Sequence, residues 1–577
     1  MSIFLASFNK EKNQKNSTKK ILSYKNSLYP KSIKWNDEFL CINFLSFKNE
    51  INNFYHEKNK FIICFNGMVL SDLKKKELKA KELLNLFKKK KNKLGKFLNG
   101  FYSILIYDIK LKSLTLFRDH AGIKNIFYTD NKKDFLVTNY INIFFQLKLK
   151  KFDPDESGYL EHIIHGNIVG GKTLHNTIYE IPAAHFLKYT NHKLVLREFW
   201  KNKKSSSKIS FNKKIVKFDK LFNEIIRQWV PKKKKISILL SGGVDSSTIS
   251  ALISKITNNV DFYTAIFDKK YNYNETNLIT KVSSKLKKNH RFVKINESSF
   301  GKSLINFIKK TTLPLTNYNG LVVNYICENI KKRNKSKIIL TGEGSDELFS
   351  GFYRYYEIAE KYKRTKRLSD LIMSKNYFNI NRFKFIKKNF IYKIPLKRIK
   401  IAKSIDEKIP IKKYLILDQK TYMPPYLDRL DQSSFLNGLE IRPVFLDKRI
   451  MEFSQTLKES EYSKLTISKN ILTKIFLRKY SEKYLPKDIS YPVTKKAQLM
   501  IPTSNWFYKG VLRKLIFRYL KKNSFFSKKF KLSKIINLLE DQREERQTKN
   551  DHSSFFERIL SYEIWLQLMK KYKNEIE

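Results

Sequence analysis

Residues 241–248 read SGGVDSST, directly after the apolar run ISILL and directly ahead of a helix-like stretch. Two glycines beside small hydroxyl side chains let backbone N–H groups close around an anion, and a following helix aims its positive end at the same point. The chemistry is phosphate holding. The spacing is not the GxxxxGK[ST] of a P-loop NTPase, and a plain glycine-rich strand-to-helix turn is the competing explanation. A second loop, TGEGSDELFSG at 341–351, follows the strand-like KIILT in the same way. Asp245 lies in the first loop, and Glu343, Asp346 and Glu347 lie in the second. Carboxylates beside a phosphate cradle repel it unless a cation intervenes, and hard oxygen ligands together with phosphate suit Mg²⁺. Asp346 and Glu347 could instead cap a helix, whereas Glu343 sits between two glycines ahead of any helix. The P-loop lysine and a kinase HRD element are both missing, which argues against transfer of a terminal phosphate. Holding the pyrophosphate end of ATP while a carboxylate attacks the α-phosphorus fits better, with adenylation and pyrophosphate release as the result.

These loops need strands behind them. ISILL (236–240), DFYTAIF (261–267), HRFVKI (290–295) and KIILT (337–341) alternate with helix-length segments such as SSTISALISKI, a pattern that predicts βαβ units and a parallel sheet. Ligands in such sheets bind beyond the carboxyl ends of the strands, so both loops should open onto one crevice. Ahead of them FIICF, FYSILIY, SLTLF, NIFY and DFLVTN, separated by polar turns, predict a sheet-on-sheet domain over 1–200. The serine-rich stretch 201–214 reads as a linker, and 215–577 as the second domain, mainly helical from about 345.

SGGVDSS resembles the pyrophosphate-binding loop of ATP pyrophosphatases, a group that includes asparagine synthetases, argininosuccinate synthetases, NAD synthetases and tRNA-modifying thiolases. TGEGSDELFSGFYRY, DRLDQSSFLNGLEIRPVFLD (428–447) and KKAQLMIPTSNW (495–506) are similar to later signatures of asparagine synthetases. FNGMV, LNGFYSILIYD, FRDHAGIKNIFY and TLHNTIYEIPAAH resemble their N-terminal glutaminase domain in order and spacing. The resemblance covers about 60 to 510. It implies an α/β architecture: an N-terminal sandwich of the N-terminal-nucleophile hydrolase type, then an adenine-nucleotide α-hydrolase-like sheet with a helical extension. By the same resemblance Ser241, Gly242, Gly243, Asp245, Ser246 and Ser247 would hold pyrophosphate, Asp245 and Asp346 reaching it through Mg²⁺. Leu239, Ala265, Thr341 and Gly342 would line the adenosine pocket, Glu343 would help the incoming amine lose its proton, and Lys495, or Lys496 in the alternative register, would neutralise the adenylate. Arg442 is expected to pack rather than react.

The pattern breaks in the first domain. Glutaminases of this family use a cysteine after the initiator methionine, with its α-amine as base. Here the chain begins Met1-Ser2-Ile3. Asn66 and Gly67 match the oxyanion-hole pair, but Met68 and Asn99 stand where acids are expected, and no RLS-like segment supplies an arginine. Glutamine hydrolysis is therefore not expected, Ser2 as an alternative nucleophile being the counter-hypothesis. Asn66 and Gly67 would then persist for the turn they make.

The 116 Lys plus Arg against 53 Asp plus Glu give a formal charge of +63. An excess of this size could attract RNA or anionic lipid, but it is spread through every segment and reads as compositional bias. The three cysteines are widely spaced and read as buried thiols. The chain has no apolar run of membrane-span length, and its beginning is too quickly polar for a secretory signal, so the cytoplasm is the default address. The sequence thus points to an amide-forming ligase using ATP and Mg²⁺, aspartate and ammonia being the simplest substrates. A β-lactam-synthetase-like, lasso-cyclase-like or sugar-acid-amidating enzyme is the runner-up, and an inactive basic scaffold or RNA-binding protein the alternative of another class. A homodimer is left open.

Overall fold

A computed structural model describes residues 1–9, 15–47, 51–131, 134–202, 209–231, 234–268, 271, 276–333, 336–372, 396–468, 470–491, 501–521, 524, 527, 531–544 and 551–574. Two antiparallel sheets form the first part. In one, six strands run 179–180, 127–130, 134–138, 2–9, 40–46, 31–36 from edge to edge. In the other the order is 193–198, 185–190, 113–118, 98–108, 61–71, 54–57, with 76–77 also pairing on 61–71. Alternate residues such as Phe4, Ala6 and Phe8 from the first sheet and Leu105, Tyr107 and Leu116 from the second meet between the layers, the period-2 burial a sandwich requires. The opposite face of the second sheet is covered by the helix Ala80–Lys90 through Ala80, Leu83, Leu84 and Phe87.

The expected linker is shorter than its serine content suggests. Ser210 caps a helix over Phe211–Trp229, its side chain accepting from the Lys213 N–H, so residues 211–214 are already the first turn. Residues 203–208 lie outside the described set. That helix buries Phe218, Phe222, Ile225, Ile226 and Trp229, a helical repeat that turns one stripe inward.

The second part carries a five-stranded parallel sheet in the order 289–294, 260–266, 236–239, 338–341, 440–443. Four strands fall where the sequence places them. The fifth, Glu440–Pro443, pairs with Ile338–Thr341 and is invisible to strand patterning, being four residues long with an arginine and a proline. Strands 236–239 and 338–341 are neighbours, and the winding direction reverses between them. Such a switch point leaves a crevice at the carboxyl ends, and both glycine-rich loops leave from it.

One core runs through both halves. Ile3, Leu45 and Phe101 from the sandwich share it with Trp229, Leu446 and Phe435. Polar groups are buried at the same boundary: Lys124 Nζ meets Asp431 at 2.5 Å with both side chains 1% exposed, and Arg398 meets Glu161 at 2.6 Å. Tyr140 stacks on Phe435. Cys41, Cys64 and Cys327 are buried free thiols. None of the described helices is long and apolar enough to cross a membrane.

Candidate functional site

The strand Ile236–Leu239 ends against the loop, and Gly243 is the N-cap of the helix Val244–Ser254. Gly242 adopts φ +76°, a conformation that glycine reaches without a Cβ penalty. The loop is tied across itself: the Ser241 N–H donates to Ser246 Oγ at 3.2 Å, and Ser246 Oγ donates to the Gly243 carbonyl at 3.2 Å. Ser247 is fully buried at the first helical turn, and its hydroxyl has no hydrogen-bond partner. An orphaned buried hydroxyl on a helix N-terminus suits a bound phosphate oxygen.

Thr341 ends its strand, and its Oγ1 accepts from the Glu343 N–H at 3.3 Å. Gly342 lies directly on the first loop. A Cβ there would stand 3.0 Å from the Asp245 Cβ and 3.2 Å from the Ser246 nitrogen, so close approach of the two backbones explains the glycine. Leu239 and Ala265 sit at the carboxyl ends of neighbouring strands. The predicted adenosine residues are therefore brought to the same edge of the sheet as the phosphate loop.

The acids separate by role. Asp245 Oδ1 accepts from the Ser345 hydroxyl at 2.8 Å, and Asp245 and Asp346 both contact the ammonium of Lys474. Glu347 is buried in the short helix Ser345–Phe349. Two carboxylates from different loops thus converge on a single positive charge. A pair of carboxylates at this position suits a Mg²⁺ held by one or two carboxylates and completed by phosphates. The residues present fit that ion.

Glu343 faces the other way. Arg429 Nη2 donates to Glu343 Oε1 at 3.0 Å, and Arg429 Nη1 donates to Asn317 Oδ1 at 2.8 Å. Burial raises the Glu343 carboxyl above its ordinary value, and the charges of Asp346 and Asp245 push it the same way, against Arg429. A base of raised affinity for protons is what amine deprotonation needs. Beside Arg429 a small cavity is lined by Thr316, Asn317, Tyr426, Asp428 and Gln432.

Arg429 and Lys474 are absent from the sequence-based site. Arg429 does lie in the stretch DRLDQSSFLNGLEIRPVFLD (428–447), a signal that could have found it, whereas Lys474 stands in no motif and in a chain with 116 Lys plus Arg its type alone gives none. Lys495 and Lys496 lie outside the described residues. Arg442 pairs with Glu440 and donates to the Trp229 carbonyl, the packing role expected.

On the cavity wall Asp428 Oδ1 accepts from Asn125 Nδ2 at 2.5 Å. Burial, then the charges of Glu180 and Asp431, push its carboxyl up to about 7. The unfolded value is about 3.9. Below pH ~4 both states carry the proton, and the stability it confers is lost as pH rises toward 7. Asp428→Asn should remove that slope, at most about 1.4 kcal/mol per pH unit. Urea midpoints at pH 4.5 and 7 read it. An unchanged difference between the two pH values would refute the assignment.

In the first domain Ser2 is fully buried, its peptide N–H donating to Asn66 Oδ1 at 2.9 Å. Asn66 and Gly67 do not form a turn, contrary to expectation. They lie inside the strand Phe61–Ser71, where Gly67 has φ +99° and a Cβ would meet the Phe101 carbonyl oxygen at 2.1 Å. Gly100 on the facing strand is its counterpart, at φ +99° with a Cβ 2.3 Å from the Met68 carbonyl oxygen. Asn99 has been turned to another use. Its Nδ2 donates to Asp447 Oδ1 at 3.0 Å and its Oδ1 accepts from the Lys448 N–H at 3.0 Å, clamping the sandwich to the second domain. Met68 is buried.

The asparagine synthase family model matches residues 217–567, and a glutamine amidotransferase domain model matches 52–200. Asparagine synthetase [glutamine-hydrolyzing] 3 of Bacillus subtilis is 24% identical over 441 residues, covering 71% of this chain and 70% of that protein. Asparagine synthetase [glutamine-hydrolyzing] 1 of the same organism is 20% identical and covers 90% of this chain and 88% of its own length. Amidase chyE of Penicillium rubens is 21% identical, covering 71% and 70%. With more than half of its length matched by the family model, and with an ATP-pyrophosphatase-type loop at the switch point of its parallel sheet, this chain belongs to the asparagine synthase family, carbon–nitrogen ligases that convert ATP to AMP and pyrophosphate.

Proposed function

We propose that this chain adenylates a carboxylate, aspartate in the simplest case, and passes the acyl group to free ammonia rather than to ammonia cut from glutamine. The observation carrying the reading is the division of the two loops. Asp245 and Asp346 converge on one cation position, while Glu343 pairs with Arg429, whose side chain lines the neighbouring cavity. Mg²⁺, held by Asp245 and Asp346, would supply charge neutralisation at the phosphates. The helix N-terminus at Gly243 and the loop N–H groups favour the developing pyrophosphate charge. Glu343 takes a proton from the incoming amine as it attacks the acyl carbon, and the bond from that carbon to the adenylate oxygen breaks to release AMP. The positions flanking the former glutaminase centre support ammonia dependence: Asn99 is bound to Asp447 and Lys448, and Met68 is apolar.

A second reading keeps the chemistry and changes the carboxylate. The likeness to a protein named as an amidase favours it, as does the cavity beside Arg429, whose guanidinium suits an anionic group on any small acid. An inactive basic scaffold is the third reading, disfavoured by the retained constellation.

Pyrophosphate release from ATP and Mg²⁺ with aspartate, run in parallel with ammonium and with glutamine, tests the proposal. Release with ammonium and none with glutamine is the expected result. Release with glutamine would overturn the reading of Ser2. Silence with both, when ATP binding is measurable, would move the substrate to another carboxylate.

A further inference from the structure

Lys474 stands where Asp245 of the first loop and Asp346 of the second converge. Its side chain is 2% exposed, and its ammonium contacts Asp245 and Asp346 together. The residue is held there by unusual means. Its backbone is left-handed, φ +55° and ψ +38°, at the N-cap of the helix Ile475–Ser481, a conformation that costs a side-chain-bearing residue free energy. Gly351 clears the space around it: a Cβ at 351 would fall 2.4 Å from the Lys474 Cε and 1.7 Å from Asp346 Oδ1. The neighbouring Arg478 directs Nε and Nη1 to the carbonyls of Thr473 and Ser490, at 2.8 and 2.6 Å, and makes no such bridge.

An ammonium and a divalent cation cannot occupy the same gap between two carboxylates, because two positive charges at that separation repel strongly in a partly buried site. Asp245 itself belongs to the Ser241–Ser247 loop, and a four-carbon stem with three donors can turn from carboxylate to phosphate. Building on the nucleotide reading above, we propose that Lys474 occupies the divalent-cation seat between Asp245 and Asp346 until the cation arrives with nucleotide, and then transfers its ammonium from carboxylate to phosphate. The site thereby refuses the bare cation and accepts the cation–triphosphate, which brings the replacement partner for Lys474.

The test uses the full chain and two variants, Lys474→Gly and Lys474→Gln. Glycine relieves the left-handed backbone, and glutamine keeps most of the side-chain length. Mn²⁺ binding without nucleotide, read from the free-ion electron paramagnetic resonance signal, is expected to be at least about tenfold tighter in both variants than in the parent, because two carboxylates are left uncompensated. ATP binding in the presence of Mg²⁺, read by calorimetry, is expected to weaken about tenfold or more in both. Equal Mn²⁺ affinity in the three chains would overturn the occupied seat. Unchanged ATP affinity in the variants would overturn the transfer to phosphate. A parent chain that binds no ATP would instead sink the nucleotide reading, while the Mn²⁺ comparison would still report on the seat.

Discussion

Glu343→Gln is expected to lower amide formation by about 10²–10⁴-fold while leaving ATP binding within a few-fold of the parent. The side chain accepts from Arg429 on the cavity side and does not share the cation seat of Asp245 and Asp346, so neutralising it removes a proton acceptor without disturbing the phosphates. Glutamine still offers an oxygen to Arg429 and preserves the packing. The comparison is turnover against ATP affinity on one preparation. If both fall together, Glu343 belongs to nucleotide binding and the division between the loops is wrong. The pH profile gives an independent check. Arg429 lowers the Glu343 carboxyl, against burial and the neighbouring acids that raise it. Removing the guanidinium with Arg429→Met should therefore move the acid limb of the activity profile to higher pH, since a base acts only when deprotonated. A limb that stays in place would separate Glu343 from the rate-controlling proton transfer.

Lys124→Met is expected to destabilise the chain by about 3–5 kcal/mol. Lys124 belongs to the sandwich and Asp431 to the second domain, and both side chains are 1% exposed. Burial raises the Asp431 carboxyl, and Lys124 is the leading influence opposing that rise. Removing the ammonium leaves an uncompensated buried acid, which costs more than the pair itself contributes. The double variant Lys124→Met/Asp431→Leu should recover most of the loss, because apolar replacement of a whole buried pair is often nearly neutral. Urea denaturation followed by tryptophan fluorescence reads both. A single variant as stable as the parent would mean that the two domains hold together without this contact. The clamp of Asn99 on Asp447 and Lys448 bears on the same question, since it ties the sandwich to the second domain at another buried point.

The catalytic half was legible because its chemistry is local in sequence. A loop that wraps phosphate needs glycines and hydroxyls within a few residues of one another, and a parallel strand buried on both faces reads as a short apolar run. The glycine-rich loops at 241–248 and 341–351 follow from that alone, as do four of the five parallel strands. The strand Glu440–Pro443 does not, because its place is set by the neighbour it pairs with rather than by its own residues. The same holds for the positive φ of Gly67 and Gly100. A glycine beside an asparagine reads as a turn, and only the facing strand, 34 positions away in the case of Phe101 and Gly67, shows that a side chain would strike a carbonyl oxygen.

The sequence by itself determined the two glycine-rich loops, the acids within them and the serine that stands at position 2, since each depends on residue type at short spacing. Only the tertiary structure decided which basic residues those acids meet, Lys474 for Asp245 and Asp346 and Arg429 for Glu343. Lys474 lies 229 residues from Asp245, and Arg429 lies 86 from Glu343. In a chain carrying 63 more positive than negative charges, a basic residue becomes informative only when folding removes water from around it and sets an acid against it, because Coulomb interactions strengthen as the local dielectric falls.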